Sequence, residues 1–223
     1  MPISAKRYTE YRLEISDHIQ RANWEGLFNP CNTSDKEEQK TIAAIFSIYD
    51  PRNVWKFVDY ASKLPIEKRR LNRDAVSTTC FILGKIGQTD TKRALSILRL
   101  FLLHDRMLRG PVEESLSNLW VLDTRITRNL LFRTWILRNQ DSDDLQEIAV
   151  RSSEFLTSRD PNQTTSFLFR VSEMGENNRN LRPASRAALE IIQRYHLKLG
   201  RRSPRKKPKR KNRSRASIRK RRL

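Results

Sequence analysis

Residues 74–119 read DAVSTTCFILGKIGQTDTKRALSILRLFLLHDRMLRGPVEESLSNL, and this stretch decides the fold. Apolar residues recur in it at three- and four-residue steps, the period of a helix with one buried face. Two glycines, Gly84 and Gly87, close the first run, and Pro111 sits in the first turn of the third, where a missing N–H costs nothing. The spacing predicts helices over 73–86, 91–103 and 112–122, joined by short polar turns.

Working outward, the same punctuation predicts helices over 35–49, 51–64, 124–139, 144–156, 162–174 and 182–199. Asp50, Thr91, Asp123 and Ser142 read as N-caps. No Asn-Gly or Asp-Gly hairpin turn and no alternating strand pattern occurs in the sequence. A nine-residue window recurs as AVSTTCFIL (75–83), LRGPVEESL (108–116), IAVRSSEFL (148–156) and LRPASRAAL (181–189), with a fainter copy, KTIAAIFSI, at 40–48. Large apolar residues open and close most copies, and positions five and eight are often small, which suits a close approach between neighbouring helices. Units of 33 to 40 residues, each with two helices, point to a helical repeat array.

The residues that carry a family likeness are Leu83, Gly84, Ile86 and Gly87 at one helix end, Ala94, Leu95 and Leu98 on the next helix, and the Asp105 turn before Leu108 and Arg109. In these the stretch resembles HEAT repeats, although Ser117 stands where the second copy would carry a glycine. The resemblance implies stacked antiparallel helix pairs curving around a concave surface, and no particular chemistry. The expected architecture is all-α: an N-terminal helical segment (1–35), a HEAT-like α-solenoid of four to five helix pairs (36–197), and a disordered polybasic tail (198–223).

That tail carries the functional signal. Fifteen of the chain's 45 Lys and Arg lie between Lys198 and Leu223, with no Asp or Glu among them, whereas the first 197 residues hold 30 basic and 25 acidic residues. With only Leu199, Ile218 and Leu223 as large apolar residues, the run buries too little surface to offset the entropy of ordering it. Such a run seeks a polyanion. Arg201, Arg202, Arg205, Lys206, Lys207, Lys209, Arg210, Lys211, Arg213, Arg215, Arg219, Lys220, Arg221 and Arg222 are therefore the candidate phosphate contacts to DNA or RNA. Arg125, Arg128 and Arg133, within an arc of roughly 140° on a regular helix, make a second candidate strip. KKPKRK at 206–211 also resembles a nuclear import signal, so the expected compartment is nuclear in a nucleated cell, and cytoplasm or nucleoid otherwise.

Catalytic patterns are missing from the sequence. It contains no Walker loop, GxGxxG or HExxH. Cys31 and Cys80 lack zinc spacing, His18, His104 and His196 are far apart, and no cofactor or metal is expected. The adjacent pairs Glu113-Glu114 and Asp143-Asp144 are expected to point to different faces. The first twenty residues contain no apolar run of the kind a secretory signal needs, and the Leu95–Leu103 run is too short to span a bilayer. The expected role is a non-enzymatic scaffold or adaptor that binds nucleic acid through its tail and holds a protein or duplex in the solenoid groove. Two alternatives stand beside it. One is a scaffold whose tail is a localisation signal. The other is suggested by similarity to HEAT-like DNA glycosylases, in which Trp120 and Asp123 would hold a cationic alkylated base.

Overall fold

Ile82 at the centre of the chain's most apolar helix is wholly buried, as is nearly every residue around it. That helix is α6, Arg73–Ile86, in a computed structural model that describes residues 3–122, 124–138 and 142–197. The others are α1 (Ala5–Gln20), α2 (Phe28–Cys31), α3 (Lys36–Phe46), α4 (Pro51–Lys63), α5 (Ile66–Leu71), α7 (Thr91–His104), α8 (Arg109–Leu122), α9 (Thr124–Leu131), α10 (Asp143–Arg151), α11 (Pro161–Asn177) and α12 (Arg182–Arg194). The protein is all-α, and the described residues contain no strand.

The helices fall into two layers. In the first, α3 packs on α6, α6 on α8, α8 on α10 and α10 on α12; in the second, α4 packs on α7 and α7 on α9. α11 continues the second layer, since Arg128 of α9 donates to Gln163 of α11 at 3.0 Å. α6 meets α3, α8, α2, α4 and α7. A helix covered on every side must be apolar all round, and α6 confines its charges to Arg73, Asp74 and Lys85 near its ends. Its buried hydroxyls are satisfied: Ser77 donates to Gln39 Oε1 at 2.9 Å, Thr78 to the Cys31 carbonyl at 2.8 Å and Thr79 to the Ala75 carbonyl at 2.8 Å.

Four polar contacts between helices or their turns join residues at nearly one sequence separation. Trp55 Nε1 donates to Thr89 Oγ1, Ser115 Oγ to the Cys80 carbonyl, Ser117 Oγ to the Ser152 carbonyl and Gln146 Nε2 to the Asn180 carbonyl. These partners are 34 or 35 residues apart, whereas Ser77 and Gln39, and Arg151 and Glu190, are 38 and 39 apart. Small residues let the layers close. A Cβ on Gly84 would lie 3.0 Å from the Ser115 Cα, and one on Gly175 only 2.0 Å from the Ser185 Cβ. Five of the six residues at the recurrent positions of the last three windows (Val112, Ser115, Ser152, Ser185 and Ala188) are buried; Phe155 is exposed. The N-terminal segment joins the same core through Tyr11 and Ile15 of α1, and the Tyr11 hydroxyl donates to Glu38 Oε2 on α3 at 3.0 Å.

Several expected boundaries shift, each for a local reason. α7 is capped by Asp90, whose carboxylate accepts from the Arg93 N–H, and Thr91 is its first residue; Asp50 does cap α4. The helix expected over 144–156 stops at Arg151, because Ser152 and Ser153 turn their hydroxyls onto the carbonyls of Ala149 and Val150. The one expected over 124–139 changes to a π-helical turn at Phe132–Leu137, where Thr134 Oγ1 takes the Leu130 carbonyl at 2.6 Å. α12 ends at Arg194 rather than Leu199. There His196 adopts φ 49°, its N–H reaches the Gln193 carbonyl and that of Leu197 reaches Ile192, closing a Schellman cap. Leu189, which closes the fourth window, is exposed, because among the described residues α12 has no further helix stacked beyond it. Asp123 and the whole segment 198–223 lie outside the described residues.

Candidate nucleic-acid interface

Charge is unequally divided between the two layers. The first-layer helices α3, α6, α8, α10 and α12 carry nine basic residues (Lys36, Lys40, Arg73, Lys85, Arg109, Arg151, Arg182, Arg186, Arg194) and nine acidic ones (Glu37, Glu38, Asp74, Glu113, Glu114, Asp143, Asp144, Glu147, Glu190). Cross-helix ion pairs consume many of these. Lys36 and Lys40 of α3 reach over α6 to Glu114 of α8 at 2.9 and 2.8 Å. Arg109 meets Glu147 at 2.9 Å, and Arg151 meets Glu190 of α12 at 2.8 Å as well as Glu147 of its own helix at 2.6 Å.

The second layer is different. α4, α7, α9 with its π turn, and α11 carry ten basic residues (Arg52, Lys56, Lys63, Lys92, Arg93, Arg99, Arg125, Arg128, Arg133, Arg170) against three acidic ones (Asp59, Glu173, Glu176). α7 and α9 contain no acidic residue at all. Arg93 is spoken for, since it pairs with Asp59 and lies 4.6 Å from the Trp55 ring centre. Arg125 and Arg133 are exposed, while Arg128 is half-buried and turned toward α11. The three arginines expected to form one strip thus divide, with Arg128 drawn to one flank.

Position and period together place another set of cations nearby. Leu130, Thr134 and Arg138 line one wall of a groove of about 160 Å³, whose other wall is Lys92, Leu95, Ser96 and Arg99 of α7, with Trp135 also lining it. Four residues over-rotate an α-helix by about 40° and under-rotate a wider π turn, so the change at Phe132 keeps Leu130, Thr134 and Arg138 on one side. Lys92, Arg99 and Arg138 escape a reading of single helices because the groove exists only when α7 and α9 are paired.

Two larger clefts open elsewhere. One, of about 590 Å³ between α10 and α12, is lined by four arginines and by Asp143, Glu147 and Glu190, so its charge is nearly balanced. The other, of about 530 Å³ beside α8, is bordered by both Glu113 and Glu114, contrary to the expectation that adjacent carboxylates face apart; the cleft is broad enough to meet both. Burial pushes the Glu113 carboxyl up against the pull of Arg109 and Arg151. Burial acts on Glu114 too, but the Lys40 and Lys36 hydrogen bonds outweigh it and hold that carboxyl down. Ser117, the hydroxyl in this cleft, has its one proton shared between the Glu113 and Ser152 carbonyls.

Trp120 is fully buried, with its indole edge-to-face against Phe167, so its ring offers no exposed face. Burial pushes up the thiols of Cys31 and Cys80, which favours the unreactive protonated form. Among the described residues no cluster of three His, Cys, Asp or Glu is arranged to hold a metal, and no helix is long and apolar enough to cross a membrane. Set against family models, curated proteins and solved structures, the chain matches none.

Proposed function

We propose that this chain is a HEAT-like α-solenoid that associates with nucleic acid without catalysing a reaction on it. The single observation that carries the reading is the concentration of fifteen cations and no anion in residues 198–223, attached to a domain whose own excess is only five. A segment of that composition binds phosphate by counterion release and offers no fixed geometry for reading bases. The solenoid assignment draws on the recurrent windows and on four polar contacts between residues 34 or 35 apart. In this reading the solenoid groove holds a protein or duplex, and the tail supplies affinity for DNA or RNA. The test is binding of the full chain to labelled duplexes over a salt series. Steep, sequence-tolerant, salt-sensitive binding supports it; failure to bind DNA or RNA duplexes near 50 mM salt would leave the tail as a localisation signal on a protein scaffold.

A further inference from the structure

We propose that the groove between α7 and the α9 π turn is a phosphate-binding site through which the folded part of the chain grips a nucleic-acid backbone. The inference rests on the nucleic-acid reading above and adds a location that the tail does not provide. Three observations support it. Among the described residues the groove is bordered by Lys92, Arg99 and Arg138 and by no carboxylate, unlike the two larger clefts. It lies between the two helices of the fold that, among the longer ones, carry cations and no acidic residue. Its volume of about 160 Å³ admits a phosphate group but no base pair.

The chemistry follows from which protons remain available. The Ser96 hydroxyl donates to the Lys92 carbonyl at 2.9 Å and Thr134 donates to the Leu130 carbonyl at 2.6 Å, so neither can donate to an incoming oxygen. Recognition therefore falls to the exposed ammonium of Lys92 and guanidinium of Arg138. Lys92 and Arg138 are exposed on opposite walls, one on each helix. Leu95 and Trp135, both buried, supply an apolar floor that excludes water from one side of the ion and strengthens its attraction to the rim. The exposed Arg125 and Arg133 lie on the same helical segment but outside the groove lining. A groove of this kind positions a strand by its phosphates and reads no sequence.

The test uses the full chain and two labelled probes, a DNA duplex and an RNA duplex of about 24 base pairs. Lys92→Glu with Arg138→Glu is compared with Lys6→Glu with Arg12→Glu, a control that changes net charge equally on the distant, exposed face of α1. Two lost phosphate contacts should lower the slope of log affinity against log salt by about 2 and weaken binding roughly 10- to 100-fold near 100 mM salt, on whichever duplex binds. The control should change the slope by less than half as much. The neutral pair Lys92→Gln with Arg138→Gln should move affinity in the same direction while melting like the parent. If the parent binds and the groove variant matches the control in affinity and slope, the groove is not a site, although the tail reading survives. If the parent binds neither probe, both readings fall.

Discussion

The indole Nε1 of Trp120 donates to the Ser152 hydroxyl at 2.9 Å, joining α8 to the turn that ends α10 across 32 residues of sequence, with both partners buried. The same hydroxyl donates onward to the Ala149 carbonyl at 3.0 Å, so one serine both anchors a tryptophan and stops a helix. Removing it leaves a buried N–H without that acceptor. Ser152→Ala should cost about 1–3 kcal/mol in chemical denaturation, with an unchanged m-value. An unaltered midpoint would mean that the indole finds another acceptor.

Two helices end in the left-handed region without glycine. Ala22 has φ 52° and His196 φ 49°, and in each case the N–H groups after the cap return to the last turn. A Cβ in that conformation costs roughly 1 kcal/mol or more, which glycine avoids. Ala22→Gly should therefore raise stability by up to about 1 kcal/mol, read as a higher midpoint in urea. A loss of stability would place the cap elsewhere.

His104 sets a pH dependence. Burial first, and then the charges of Arg69 and Arg70, hold its imidazole below the ordinary value of 6.5. As pH falls below 6.5, the unfolded chain takes up a proton before the folded one does. Stability from this group is thus complete above that value and declines as pH drops toward the folded value. The fall in Tm between about pH 7.5 and pH 5.5 should be smaller in His104→Gln than in the parent. Equal falls would exclude His104 as the source.

The buried indole of Trp120 also bears on base excision. Holding a cationic base needs an aromatic face open to the ligand and a carboxylate beside the breaking bond. We expect no release of alkylated purines from methylated DNA by the purified protein. Release that disappears in Asp123→Asn would overturn the non-enzymatic reading.

Much of the fold was legible in the residue order, and the exceptions have physical causes. α6 matched its expected span, and α7 did so to within one residue, because apolar period and Gly and Asp punctuation agree there. The π turn and the break at Arg151 depend on hydroxyls of Thr134, Ser152 and Ser153 competing for backbone carbonyls, which periodicity does not register. The caps at Ala22 and His196 lack the glycine that would have announced them. Of the candidate phosphate contacts, Arg125, Arg128 and Arg133 were visible on one helix. Lys92, Arg99 and Arg138 were not, since they meet only through the pairing of α7 with α9. The tail arginines and lysines, Arg201 to Arg222, are read from composition alone.

The most direct test of the central claim is the affinity of the full chain, and of a chain ending at Leu197, for one duplex from about 50 to about 200 mM salt. Engagement of six to ten tail charges predicts that the full chain loses roughly 10³- to 10⁵-fold in affinity over that range. The shortened chain should bind far more weakly, with only the shallow slope that about two groove contacts give. A shortened chain that keeps the full affinity and the full slope would contradict the account and move the site wholly onto the folded domain.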